Sequence, residues 1–514
     1  PSPTRIPSPS LTTMFRAASA AVRATTTATM AVAPAVTARV SSASKTSATT
    51  TTTAKATAAA SATSAMGGNR LVAGGSLLGS GNYANGGNVP FAVHMRSSAN
   101  GNASFGGMTG QKRFATGWAT TALSPTSPFS ATVGLDDEQL MFYETAAAFA
   151  AENIAPHASK WDAESIFPKD VVHELGNLGF GAMYTSEEHG GSGASRLDAA
   201  LVFEALSMGC PATSAYLSIH NMCTWMVDSF GSDELRAEFV PRMATMEALG
   251  SYCLTEPGSG SDAAALRTTA VVSSTDEDVY VLNGEKAFIS GAGETDVYLI
   301  MARTGSESGA KGVSCFLVDA ESDGLSFGGK LDKMGWNASP TRPVIMQDVK
   351  VHKSRMLGAP GEGFKIAMKG LDGGRINIGA CSIGAAAASV GIAREYVLER
   401  TAFGKPLARF QNTEFVFADM AAKLRTSRLA IRDAAKLLHE RSPLATSSAA
   451  LAKLTATEQC FDVINSALQT LGGAGYVADY QIERYLRDAR VHSILEGSSE
   501  IMRLVTARAI FADQ

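Results

Sequence analysis

Apolar positions recur at helical spacing, then alternate as in strands, then return to helical spacing, so three patterned stretches follow one long unpatterned one. After the acidic trio Asp136-Asp137-Glu138, suited to a helix's first turn, Leu140, Phe142, Tyr143, Ala146, Phe149 and Ala150 recur near the helical period. Gly190-Gly191-Ser192-Gly193 reads as a loop, and stretches 197–207 and 216–230 are apolar enough for buried helices. The character changes at Ser251. Val279-Tyr280-Val281-Leu282, Asn283-Gly284 and Lys286-Ala287-Phe288-Ile289 together predict a hairpin on a two-residue turn. Further strands are expected at 297–302, 313–318 and 344–351. Beyond Pro360-Gly361-Glu362-Gly363 the helices resume, at 376–400 (rich in Gly, Ala and Ser), 411–441 and 444–471, the last stopped by Gly472-Gly473. Long helices with short links make a bundle. The expectation is an α+β, mainly α chain: an N-terminal helical domain (133–250), a middle antiparallel β domain (251–365) and a C-terminal helical bundle (366–514).

Charge changes the picture at the N-terminus. No acidic residue precedes Asp136, while ten of the 44 basic residues do, leaving 34 against all 48 acids in the remainder. An acidic body argues against nucleic acid as a partner. The acid-free stretch is rich in Ser, Thr and Ala, with runs such as Thr49-Thr50-Thr51-Thr52-Thr53, the composition of an organelle transit peptide; a disordered linker or basic arm is the plainer alternative. The expectation is a removable, unstructured leader over 1–132, with Met14 as the natural start. No run reaches the roughly 18 uninterrupted apolar residues of a membrane span. The six cysteines form no CxxC pair and there is no HExxH, so no metal is expected.

Two segments carry the chemistry. In Ser493-Ile494-Leu495-Glu496-Gly497-Ser498-Ser499-Glu500, a carboxylate sits between apolar residues and a turn-and-cap pair. Apolar surroundings disfavour its charged form and raise its pKa toward the range of a general base. Read alone, Glu496 could equally be an ordinary acid near a helix N-terminus. Upstream, Gly258-Ser259-Gly260-Ser261-Asp262-Ala263 matches the dinucleotide fingerprint G-x-G-x-x-A, but Pro257 precedes it and antiparallel β pattern follows. The fingerprint needs a strand before and a helix after, so this Gly–Ser loop offers backbone amides to a phosphate without a Rossmann unit.

Together with Tyr252-Cys253-Leu254-Thr255-Glu256-Pro257-Gly258-Ser259-Gly260-Ser261-Asp262, the Glu496 segment resembles the paired signatures of the acyl-CoA dehydrogenases, and the resemblance runs from Leu135 to Phe511. It implies FAD as cofactor, an acyl-CoA substrate, electron-transfer flavoprotein as electron acceptor, a homotetramer and, with the leader, the mitochondrial matrix. It also implies roles. Glu496 would be the base that removes the α-proton, its backbone N–H helping to polarise the thioester carbonyl. Tyr252, Leu254, Thr255, Ser261, Phe288, Ile289 and Ser290 would line the flavin, with Ser498 and Glu500 as flavin-side contacts beside the base; alone, Phe288 reads as a core strand residue. Arg400 and Phe403 (in Arg400-Thr401-Ala402-Phe403-Gly404) would reach another subunit's FAD pyrophosphate, and Phe410, Gln411, Gln469, Gly472 and Gly473 would make further adenine and pyrophosphate contacts; the plain alternative for Arg400 is a surface ion pair. Ser261, Asp372, Gly373, Gly374, Arg375 and Arg508 would meet the substrate. Some branches of the family carry the base at the position of Gly374; here that position is Gly, leaving Glu496. The phrases Ser218-Ile219-His220-Asn221-Met222-Cys223 and Gly373-Gly374-Arg375-Ile376-Asn377-Ile378 resemble the branch that acts on 2-branched substrates, implying conversion of isobutyryl-CoA to methacrylyl-CoA in valine breakdown. Leu495, where straight-chain members usually have Tyr, would leave room for the methyl branch. Alternatives are 2-methylbutyryl-CoA or a short straight-chain acyl-CoA, and, beyond dehydrogenation, a flavin oxidase or a non-catalytic assembly factor on the same scaffold.

Overall fold

Asp136 opens the first helix with a reciprocal cap: its carboxylate accepts from the Gln139 N–H at 2.9 Å and the Gln139 amide oxygen accepts from the Asp136 N–H. This computed structural model describes residues 127–305 and 309–512. Helix α1 (Asp137–Phe149) runs through a π-helical turn (Ala150–Ile154) into α2 (Ala155–Glu164), followed by α3 (Lys169–Asn177), α4 (Arg196–Ser207), α5 (Pro211–Phe230) and α6 (Asp233–Ala244). Helices α4 and α5 are buried along nearly their whole length, as their uninterrupted apolar runs require.

Residues 1–126 of the expected leader lie outside the described residues. The expected boundary at 132 is corrected by the structure. Phe129, Ser130 and Ala131 are buried, and the Arg428 guanidinium donates to the Phe129 carbonyl at 2.7 Å while its Nε pairs with Glu204 at 2.7 Å. Carbonyls held by a buried guanidinium belong to the folded body.

The middle sheet has the order β6-β7-β3-β2-β4-β5-β8, with β1 beside β4. Its strands are β1 (Gly250–Cys253), β2 (Thr269–Val272), β3 (Val279–Ser290), β4 (Val297–Arg303), β5 (Val313–Asp319), β6 (Leu325–Phe327), β7 (Thr341–His352) and β8 (Met356–Leu357). The hairpin expected at Asn283-Gly284 does not form. Residues 279–290 are one strand, paired antiparallel with β2 and β7, and the turn signature marks a bulge in the β3–β7 pairing between Leu282 and Gly284. The Asn283 side chain donates to Asp348 at 3.0 Å and accepts from the Asp348 N–H at 2.9 Å, while a Cβ at Gly284 would lie 2.8 Å from the Thr268 Cα. Asn-Gly here lets the strand kink past a neighbour rather than reverse.

The bundle comprises α7 (Gly363–Glu399), the small ribbon β9 (Thr401–Ala402) and β10 (Lys405–Pro406), then α8 (Gln411–His439), α9 (Ala445–Leu471), α10 (Ile482–Arg490) and α11 (Ser499–Ile510). Helix α7 starts at Gly363, well before the expected 376. The glycines and charges that broke its apolar pattern are places where neighbours come close: a Cβ at Gly363 would meet the Ser314 backbone, one at Gly373 the Arg196 guanidinium, one at Gly374 the Glu496 carboxylate. By length and composition α7 could cross a membrane, but its most apolar window is wholly buried in the protein. Its small residues serve close packing: a Cβ at Gly384 would strike the Glu204 carbonyl of α4.

Candidate active site

Glu496 lies between α10 and α11 in a turn of left-handed backbone, with φ +56° at Glu496 and +93° at Gly497. A left-handed φ is natural at Gly497 and costly at Glu496, so the surroundings must hold it. They do so from two sides. The Arg375 Nε of α7 donates to the Glu496 carbonyl at 3.3 Å, and the Lys453 ammonium of α9 donates to the Gly497 carbonyl at 2.8 Å. Upstream, buried His492 is clamped between Trp336, whose indole N–H donates to its Nε2 at 3.2 Å, and the Ser382 hydroxyl at 2.7 Å from Nδ1. An indole nitrogen only donates, so Nε2 is the acceptor and Nδ1 carries the proton. The strained turn is therefore tied to α7, α9 and the middle domain at once.

The carboxylate points at Gly374, where any Cβ would collide with it. Glu496 as a residue is only half-buried, yet its Oε2 is sealed from solvent and has no hydrogen-bond partner. Desolvation lifts the carboxyl to about 7, against the opposing pull of Arg375 and Lys453. A buried, unpartnered carboxylate oxygen poised near neutrality is suited to accepting a proton from a bound molecule.

The Tyr252–Ser261 segment enters from the other side. The Tyr252 hydroxyl donates to the Ala367 carbonyl of α7 at 3.4 Å, and burial raises its pKa, with Glu496 the next contribution. The Thr255 carbonyl accepts from the Ala287 N–H at 2.8 Å, placing Thr255 beside Phe288, and the Ser251 hydroxyl donates to the Ser290 carbonyl at 2.7 Å. Buried Lys286 and Glu256 pair at 2.8 Å; Glu256 also accepts from the backbone N–H groups of Arg267 and Thr268, fixing the loop. Phe288 is not a core residue. It sits at φ +59° in a bulge between Lys286 and Ile289 and is 69% exposed. Ile289 is buried in the sheet, and Ser261 is exposed on the Gly–Ser loop. A bared aromatic ring held in a costly backbone conformation fits a planar ring system lying against it.

The remaining sequence candidates separate. Asp372 is occupied: Oδ1 takes the Arg375 guanidinium at 2.7 Å and Oδ2 the Thr446 hydroxyl at 2.7 Å. Ser498 caps α11, accepting from the Ile501 N–H; Glu500 is exposed in its first turn and Arg508 is exposed near its end. Arg400, Phe403 and Gln411 lie exposed around the end of α7 and start of α8, where the 95% exposed Phe403 ring meets Phe410 edge-on at 6.2 Å. Gln469, Gly472 and Gly473 lie exposed at the end of α9. From Gly374 to Glu399 is 25 residues of one helix, roughly 37 Å at about 1.5 Å per residue. The Arg400 group therefore stands far from Glu496 of its own chain.

The sequence reading missed three residues near Glu496. Lys453 was hidden in a small-residue helix. Arg196, also buried, faces Gly373 and stacks over Tyr184 (3.6 Å to the ring centre) and Trp225 (4.8 Å), and the Tyr184 hydroxyl accepts from the Asn377 side chain. A lone cation inside an otherwise uncharged helical stretch was the available signal for Lys453; Arg196 opens α4 right after its Ser195 cap and gave none. Tyr184 left none.

Family models for the N-terminal, middle and C-terminal domains of acyl-CoA dehydrogenases match residues 136–247, 251–349 and 361–511. The chain belongs to the acyl-CoA dehydrogenase family. It is 51% identical over 381 residues to the mitochondrial isobutyryl-CoA dehydrogenase of Bos taurus, covering 74% of this chain and 91% of that protein. Among solved structures, butyryl-CoA dehydrogenase from Megasphaera elsdenii is 36% identical with a TM-score of 0.71, covering 74% of this chain and 99% of that one. The FAD complex of PigA is 28% identical with a TM-score of 0.71, covering 74% and 99%. As in the acyl-CoA dehydrogenase family at large, the chain is an FAD-dependent oxidoreductase, and the exposed Phe288 with the Thr255 and Ser290 segments beside it fits that cofactor.

Proposed function

We propose that the protein dehydrogenates a short, 2-branched acyl-CoA, with isobutyryl-CoA to methacrylyl-CoA as its reaction, and that Glu496 is its base. The observation that carries this is the sealed, unpartnered Oε2 of Glu496 over the bare backbone of Gly374, in a chain 51% identical to an isobutyryl-CoA dehydrogenase. Glu496 takes the α-proton onto Oε2, and the Glu496 N–H polarises the thioester carbonyl as enolate charge develops. When bound, FAD accepts the hydride equivalent from the β-carbon. Phe288, Thr255, Ser290 and the Gly–Ser loop at Ser261 would hold it, with Arg400, Phe403, Phe410, Gln411 and the Gln469–Gly473 end of α9 supplied by a neighbouring subunit of a homotetramer. Asp372 and Arg375 shape the substrate's entry by fixing the α7 turns that carry Gly373 and Gly374. Electron-transfer flavoprotein as acceptor and the mitochondrial matrix as location complete the reading; the named mitochondrial relative and the acid-free leader support the location.

A short straight-chain substrate is the second reading, favoured by the likeness to butyryl-CoA dehydrogenase. Anaerobic bleaching of the purified flavoprotein by isobutyryl-, 2-methylbutyryl- and butyryl-CoA decides between them. Fastest reduction by isobutyryl-CoA is expected; preference for butyryl-CoA would overturn the branched reading. Glu496→Gln should bind acyl-CoA and keep its yellow colour yet lose on the order of 10⁴ in reduction rate. Near-parent bleaching in that variant would remove Glu496 as base.

A further inference from the structure

We propose that Lys453 is a positioning residue for the base: its ammonium holds the Gly497 carbonyl while Arg375 holds the Glu496 carbonyl, and this two-cation clamp both aims the Glu496 carboxylate and keeps positive charge beside it. The inference rests on Glu496 being the base. Lys453 is fully buried on α9, where an ammonium is costly unless compensated. Three other buried cations sit against a carboxylate, Arg428 on Glu204 at 2.7 Å, Lys286 on Glu256 at 2.8 Å and Arg375 on Asp372 at 2.7 Å, while Arg196 lies over the Tyr184 and Trp225 rings. The hydrogen bond found for Lys453 goes instead to a backbone carbonyl, in the turn after Glu496. A cation kept in the core with such a partner is explained by what it does to that turn. The turn needs it. Glu496 has φ +56°, its Oε2 has no hydrogen bond to orient it, and its aim must therefore come from its backbone.

The charges around the base make the clamp electrostatic as well. Arg375 of α7 and Lys453 of α9 are the cations acting on Glu496, both drawing its pKa down against burial. Tyr184, Cys223 of α5 and Tyr252 of β1 also face it, and burial raises all three, keeping them neutral near pH 7. His492 beside Lys453 is drawn down by burial to about 3 and is neutral too. Burial loosens the Lys453 proton to about 8; Glu496 itself and then Glu458 of α9 and Glu500 of α11 help Lys453 keep it, against Arg375. Removing the Lys453 charge therefore leaves Arg375 alone against desolvation, and the Glu496 carboxyl must titrate at higher pH.

The test is a pair of variants, Lys453→Met, which removes charge and donor, and Lys453→Gln, which keeps a neutral donor. Two quantities are read in each: the acid limb of the anaerobic flavin-reduction rate, and the Glu496 carboxyl titration by infrared difference spectroscopy, its band identified by disappearance in Glu496→Gln. Both variants should move both midpoints up by about one pH unit or more. Lys453→Met should also lose more of the plateau rate than Lys453→Gln, having lost the hold on Gly497. An unmoved carboxyl midpoint in either folded, FAD-retaining variant overturns the proposal; should Lys453→Met not fold, Lys453→Gln alone decides. Retained bleaching in Glu496→Gln would instead overturn the assignment of the base, so the two failures are distinct.

Discussion

Gly374 matters for what it lacks. The Glu496 carboxylate occupies the space a side chain there would take, so Gly374→Ala must push the carboxylate aside while leaving α7 helical, where Ala is the better helix former. We expect reduction rates to fall on the order of 10²-fold, the cost of a small misplacement, with unfolding temperature unchanged or raised; an unimpaired rate would show the carboxylate aims elsewhere. The same geometry lets a carboxylate reach the site from α7, so Gly374→Glu in a Glu496→Gly background should recover part of the activity that Glu496→Gly alone loses. Rate should also fall with acidity as Glu496, near 7, takes up a proton; a stopped-flow profile flat from pH 6 to 8 would contradict that burial. At this scale Glu496 was legible as the candidate base because its apolar flanks and its turn are contiguous in sequence. Lys453 and Arg196 were not, since a cation's partner is set by helix packing, and the residues that receive them lie far along the chain.

Helices and strands were legible where the apolar pattern is periodic or unbroken, as in α4 and α5, and illegible where neighbours press close. The start of α7 was masked by Gly370, Gly373 and Gly374, which break apolar periodicity because their neighbours leave no room. The Asn283-Gly284 signature was misread because turn-formers also suit a bulge, and only pairing with β7 and β2 decides which. The tight crossings of α7 give an element-scale prediction. A Cβ at Gly379 would meet the tip of the Ile431 side chain of α8, which can turn away, whereas one at Gly384 would meet the Glu204 backbone of α4, which cannot. Denaturant unfolding should therefore find Gly384→Ala the more destabilising, toward the upper end of the ~1–3 kcal/mol of overpacking or beyond, with Gly379→Ala near the lower end and relieved by Ile431→Val. Equal losses would mean the helices can slide apart. In the sheet, Lys286→Met should leave Glu256 buried without its cation and held by two backbone N–H groups alone, costing about 3 kcal/mol. Adding Glu256→Gln should recover part of that loss.

Across the whole molecule, the residues that the family resemblance assigns to one cofactor stand in two groups, at opposite ends of a long helix. The group on the Glu496 side includes Tyr252, Thr255 and Phe288; the other, with Arg400, Phe403, Phe410 and Gln411, is exposed roughly 37 Å along α7. Reach forbids one chain from bringing them together, since an arginine side chain spans a small fraction of that distance. Either the Arg400 group is ordinary surface, or a neighbouring subunit supplies it. Phe403 argues for the second: a 95% exposed ring at φ +50°, stacked edge-on with Phe410, is costly backbone strain for a residue that does nothing. Arg400→Ala should then lower FAD retention and oligomer mass together, because a ligand held between subunits stabilises their association by mass action. Co-expression gives the decisive version. Glu496→Gln chains have a sound Arg400 and no base, and Arg400→Ala chains have a base and no Arg400. If the site is shared, mixed assemblies contain some sites with both residues intact, one from each chain. The flavin reduced by isobutyryl-CoA, counted per chain, should exceed the mean of the two parental assemblies, because only a shared site restores both full flavin binding and the base. Mixed assemblies that only average the two parents would place Arg400 outside the neighbour's site.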